Sequence, residues 1–140
     1  LETAPYTEVG ISRQGVSRGM AKLYIVDEHT TVRKALAERL AKAHGLEVVG
    51  HSGEYSEVMR EVEALEPEIV LLEVKRRDGM GLEMARQIAD LPYGPRLIVL
   101  TSYPTTWEQK AATRAGAVHY LLKDIDSEEL IRQISELVEA

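Results

Sequence analysis

Residues 69–72 read Ile-Val-Leu-Leu and end on Glu73. Neighbouring side chains of a strand point to opposite faces of its sheet. An aliphatic run without alternation is therefore buried on both faces, as in the central strand of a sheet covered on each side. Four more short apolar runs surround it: 22–26 (KLYIV), 46–50 (LEVVG), 96–101 (RLIVLT) and 117–122 (AVHYLL). Longer segments separate them, so the chain alternates strand and helix, the pattern of a parallel sheet wrapped by helices.

The helices are read from a period of three to four residues. Residues 30–43 place Val32, Leu36, Leu40 and Ala43 on one face, and Gly45 ends the segment. Residues 55–65 carry Val58, Val62 and Leu65 before Pro67 forces a break. A third helix covers 81–89 with Ala85 and Ile88, and "LPYGP" punctuates the chain after it. The segment 104–116 has Pro104 at its start, Gly116 after its end and a thin apolar face of Trp107, Ala111 and Ala115, which predicts weak packing. Ser127, Glu128 and Glu129 open a last helix striped with Leu130, Ile134, Leu137 and Val138. Five strands and five helices imply an open, doubly wound α/β sheet with helices on both faces.

Length and charge narrow the function. The 140 residues suit one domain. The net charge of −6, from 17 basic and 23 acidic residues, gives no general attraction to nucleic acid or anionic lipid. The chain has no cysteine, which removes disulfides, thiol catalysis and thiolate metal sites, and a reducing, cytoplasmic setting is expected. No stretch reaches the roughly 18–20 apolar residues of a spanning helix. Residues 1–20 show no period and are expected to be a tail ahead of a domain at 21–140; Leu1 is not Met, and Met20 is a candidate native start.

In doubly wound sheets, sites form beyond the carboxyl ends of the strands. That rule singles out Asp27 and Glu28, Glu73, Thr101 and Ser102, and Lys123, which should converge. Three carboxylates with one ammonium favour a cation. Mg²⁺ suits them, because it takes carboxylate and water oxygens and completes its shell with phosphoryl groups. A carboxylate there could act as a nucleophile toward phosphorus, with Lys123 and Thr101 holding the transferred group.

These residues carry a resemblance. "LYIVDEHTTVRKAL", "LEVVG", "PEIVLLEVKRRDGMGLE", "RLIVLTS" and "AGAVHYLLKD" stand in the order and spacing of the receiver domain of two-component response regulators, most closely the kind joined to LuxR-type helix-turn-helix output domains. The resemblance implies a flavodoxin-like fold with strand order 2-1-3-4-5. It implies Asp27 and Glu28 as the acidic metal pair with Glu73 beside them, Thr101 as the phosphoryl-sensing hydroxyl, Tyr120 as the aromatic switch and Lys123 as the motif lysine. The implied partners are a histidine kinase or other signalling protein, a second copy, and a DNA-binding output domain in a longer chain. No direct nucleic acid binding and no membrane association are expected of this chain.

Two departures matter. Glu73 stands where the family's motif has its phosphate-accepting aspartate, and Arg76 and Arg77 replace the usual Met-Pro. Glutamate is longer by about 1.5 Å, and a misplacement of about 1 Å can cost on the order of a hundredfold in rate. The longer carboxylate can instead reach toward Lys123 and Thr101 and imitate an activated state in part. The leading expectation is thus a divergent, non-enzymatic receiver that signals without phosphorylation. The alternatives are a competent Mg²⁺-dependent acceptor at Glu73 and a flavin- or nucleotide-binding flavodoxin-like protein, the last disfavoured because "DEHTT" lacks a phosphate-cradling glycine loop.

Simpler roles stand beside these. Asp27 and Glu28 also suit a helix start, Thr101 could satisfy local backbone, and Tyr120 fits a fixed ring as well as a moving one. Lys75, Arg76 and Arg77 read first as a solvated loop. His29, His44, His51 and His119 lack metal spacing and read as surface or partly packed. Trp107 belongs either to the core or, the preferred reading, to a partner interface.

Overall fold

The computed structural model describes residues 19–139; the expected tail lies outside them except for Gly19 and Met20, which belong to no helix or strand. The elements are β1 (Ala21–Val26), α1 (Thr30–Ala41), β2 (Leu46–Ser52), α2 (Tyr55–Leu65), β3 (Ile69–Glu73), α3 (Gly81–Ala89), β4 (Arg96–Thr101), α4 (Thr106–Ala115), β5 (His119–Leu122) and α5 (Ser127–Glu139). The strands form one parallel sheet in the order β2-β1-β3-β4-β5, the flavodoxin-like arrangement implied by the resemblance. All five residues of the central strand β3 are buried.

Alternate residues of the strands feed two cores. Leu23, Ile25, Ile69, Leu71, Ile98 and Leu100 pack with Leu36 and Leu40 of α1 and Leu130 and Ile134 of α5. Tyr24, Val26, Val70, Leu72, Leu97 and Val99 point the other way, to Val58 and Val62 of α2, Met84, Ala85 and Ile88 of α3 and Ala112 of α4. Each such fully buried aliphatic side chain contributes about 1.5–3 kcal/mol.

Two helix faces differ from the expected stripes. Val32 is exposed, and Leu36, Ala37 and Leu40 are the buried residues of α1. At about 100° per residue, the centre of that face runs through position 33, so a charged residue, Arg33, holds the core-facing place at the carboxyl end of the sheet. In α4 the inward line is Glu108, Ala112 and Ala115, while Trp107 is 68% exposed. An acid occupies the slot where an apolar residue was expected.

The register positions the site. Val26 pairs with Leu72, which sets Asp27 beside Glu73. Thr101 pairs with Leu122, and the Lys123 N–H donates to the Thr101 carbonyl at 2.7 Å. The loop after β3 returns tightly into α3, because a side chain on Gly81 would come within 1.9 Å of the Val74 carbonyl oxygen.

Candidate functional site

Asp27, Glu73 and Lys123 meet at the carboxyl edge of the sheet. The Lys123 Nζ lies 2.5 Å from Asp27 Oδ2 and 3.2 Å from Glu73 Oε1, and both carboxylates are 2% exposed. The second contact is an ion pair without hydrogen-bond alignment, so Glu73 Oε1 has no hydrogen-bond donor. Glu73 Oε2 accepts from the Lys75 N–H at 2.8 Å. Burial pushes the Glu73 carboxyl above the usual carboxylate range, against the pull of the Lys75 N–H and Lys123. Burial acts to lower the pKa of Lys123, but its bond to Asp27, the Asp27 charge and then Glu73 outweigh that and hold it above an ordinary lysine.

The remaining oxygens are engaged by other residues. Asp27 Oδ1 accepts from the His29 N–H at 2.9 Å and lies 3.1 Å from His29 Nδ1, which brings His29 nearer the site than its sequence context suggested. Arg33 Nη1 donates to the Asp27 carbonyl at 2.8 Å, and its Nε donates to His51 Nδ1 at 3.0 Å. Glu28 Oε1 accepts from the Arg77 N–H at 2.8 Å. A proline at 77, as in the motif this chain departs from, has no N–H to offer.

Lys75 and Arg77 are exposed, as a solvated run would be, but Arg76 between them is not. The Arg76 side chain is 3% exposed, pairs with Asp78 at 3.1 Å and donates to the Gly53 carbonyl at 3.0 Å, while its Nη1 is buried without a partner. A shallow groove lined by Glu28, Arg33, Gly53, Glu57 and Arg77 opens beside it.

Thr101 and Tyr120 belong to an adjacent network centred on Glu108. The Thr101 hydroxyl oxygen accepts from the Tyr103 N–H at 3.2 Å. Glu108 Oε2 lies 2.6 Å from Lys75 Nζ, and Glu108 Oε1 accepts from the Tyr120 hydroxyl at 2.7 Å. The same hydroxyl accepts from the Thr105 N–H at 3.1 Å, and Thr105 Oγ1 caps α4 by accepting from the Glu108 N–H at 3.0 Å. Burial acts to raise the Glu108 carboxyl, but hydrogen bonds from Lys75, Tyr120 and Thr101 prevail and hold it below the usual range. Glu108, Arg33 and the side chain of Lys75 are site neighbours that sequence reading missed.

Mg²⁺ demands several oxygen ligands in near-octahedral geometry. It is commonly held by only one or two carboxylates with waters filling the shell, but here the Lys123 ammonium sits against Asp27 and Glu73, and Glu28 is bound to the Arg77 N–H. As arranged, the donor set does not fit the ion that the family resemblance implies.

A doubly wound parallel sheet with two buried acids and a lysine at its carboxyl edge is the arrangement that the receiver resemblance implies. The chain belongs to the response regulator receiver domain family, whose model matches residues 23–135, and it is a receiver domain of two-component signalling. It is 36% identical over 118 residues to the DNA-binding transcriptional activator DevR/DosR of Mycobacterium tuberculosis, covering 84% of this chain and 54% of that protein. It is 32% identical over 111 residues to the transcriptional regulatory protein LiaR of Bacillus subtilis, covering 79% and 53%. The crystal structure of a two-component response regulator of the LuxR family from Aurantimonas sp. superposes with a TM-score of 0.79 at 25% identity, covering 86% of each chain. The chain spans about half the length of these curated relatives.

Proposed function

We propose that this receiver signals without phosphoryl transfer, through protein-protein contact, with Glu73 as a fixed substitute for the acceptor. The observation that carries this reading is the Lys123 ammonium bridging Asp27 and Glu73. The Glu73 carboxylate thereby takes the lysine contact that would stabilise an incoming phosphoryl group, and its Oε2 is held by the Lys75 N–H. A nucleophile tied at one oxygen and paired at the other is poorly placed for in-line attack. The domain then acts as an interaction module rather than an enzyme.

Lys75 supports a route outward, since its main chain holds Glu73 and its side chain holds Glu108 on α4. The exposed Tyr103 and Trp107 flank that anchor and suit contact with a protein partner or a second copy. In a longer chain the listener would be a DNA-binding output segment, as the name of the DevR/DosR relative suggests, in the cytoplasm where a kinase-linked pathway operates. No described helix is long and apolar enough to cross a membrane.

Intact mass after incubation with acetyl phosphate and Mg²⁺ tests the reading, with no added phosphoryl group as the expected result. The lack of a hydrogen-bond donor at Glu73 Oε1 favours one rival, a competent acceptor receiving phosphate from a histidine kinase. Stable labelling that disappears in Glu73→Gln would establish that rival and end the proposal.

A further inference from the structure

Negative charge at the carboxyl edge of the sheet must be balanced, and this chain brings its own cations to it. Lys123 lies within ion-pair distance of Asp27 and Glu73, Arg33 holds the Asp27 carbonyl, and the Arg77 N–H holds Glu28. Formally, the Lys123 ammonium and the Arg33 guanidinium offset two of the three carboxylates, and the third, Glu28, is held by the neutral Arg77 N–H, so little negative charge is left to attract a divalent ion. The oxygens that would have to coordinate one are spoken for: both of Asp27, the Asp27 carbonyl, Glu73 Oε2 and Glu28 Oε1.

We infer that Lys123 and Arg33, helped by the Arg77 main-chain N–H, take the place of the divalent cation, so that the pocket is complete without Mg²⁺ and does not bind it at millimolar concentration. The inference concerns the same pocket as the proposed function but does not require it, because metal binding is read without a phosphodonor. Arg77 contributes through its main-chain N–H, which holds Glu28 Oε1. Lys123 contributes most, since its ammonium alone reaches two of the three acids. A metal entering the pocket would first have to break these contacts and displace a half-buried ammonium.

Isothermal titration calorimetry of the full chain with Mg²⁺ and with Mn²⁺ tests this, alongside thermal melts with and without each ion. The wild type should give no saturable heat and no metal-dependent rise in Tm. Lys123→Met keeps the length of the side chain and removes its charge, so it should gain affinity for either ion by about tenfold or more and melt higher in its presence. Asp27→Asn added to Lys123→Met should abolish that gain. Saturable Mg²⁺ binding by the wild type that is lost in Asp27→Asn overturns the inference. So does a folded Lys123→Met protein that ignores both ions. If Lys123→Met does not fold, the wild-type titration decides alone. Absence of metal binding together with phosphoryl labelling would sink the proposed function and spare this inference; metal binding without labelling would do the reverse.

Discussion

Lys75 Nζ and Glu108 Oε2 lie 2.6 Å apart, joining the loop after the acceptor position to the helix that carries the exposed Trp107. Glu108 is almost fully buried and Lys75 is not. The pair therefore serves the acid more than the base, and its loss falls on α4.

Glu108→Gln and Lys75→Met should each destabilise the domain by about 1.5–3 kcal/mol, the range for losing a hydrogen bond to a charged group. Urea unfolding measures the change, and amide exchange should quicken in α4 before other helices. The fluorescence of Trp107, the chain's one tryptophan, reports the same loosening. An unchanged spectrum and exchange rate in both variants would refute the coupling.

The pH dependence of Glu108 has a definite sign. Its folded carboxyl lies below its ordinary value of 4.5, so the unfolded chain binds the proton more readily. The resulting stability is present above about pH 4.5 and is lost as pH falls through the lower folded value. Glu108→Gln should therefore flatten the acid limb of a plot of Tm against pH.

Glu73 behaves oppositely. Its folded carboxyl is raised above 4.5, mainly by burial. Its contribution to stability is full below the unfolded value and falls away as pH rises through the folded one. Glu73→Gln, which resembles the protonated acid, should raise Tm at pH 7, and the advantage should vanish below about pH 4.5. A lower Tm at pH 7 would show that the Lys123 contact outweighs the cost of burial.

Gly81→Ala should cost about 1–3 kcal/mol, as overpacking does, because the new methyl would press on the Val74 carbonyl oxygen at 1.9 Å. The clash is with main chain, so the loop between Glu73 and α3 has to shift. Thermal melting reads the cost.

Trp107→Ala is expected to leave stability within about 0.5 kcal/mol, since the ring is 68% exposed. If this face is the interface, the same change should weaken partner binding or self-association, measured by analytical ultracentrifugation or by capture with the cognate output segment.

The sheet was legible because its strands announce themselves. The unbroken Ile69–Leu72 run marked the centre, and the residue after each strand marked the pocket rim. Helices α2 and α3 were legible to the residue, since Pro67 and Gly81 punctuate them and their apolar stripes are full. In α1 and α4 the polarity rule misled: Arg33 and Glu108 face inward because each finds polar partners there, while Val32 and Trp107 face water. A period-based reading assigns inward places to hydrocarbon and has no means to see such partners. One signal was available for Glu108, whose spacing from Thr105 is that of a helix-capping pair and whose spacing from Ala112 and Ala115 completes an inward line. The direction of the Glu28 carboxylate was not legible, because it depends on a main-chain N–H whose position only the folded loop sets.

The mooring of α4 has an evolutionary consequence. Apart from Ala112, the buried residue that fastens this helix is an acid, and the hydrocarbon beneath it is slight. Here one mutation at position 75 or 108 would suffice to retune what the domain shows to the outside, leaving the sheet and its pocket intact.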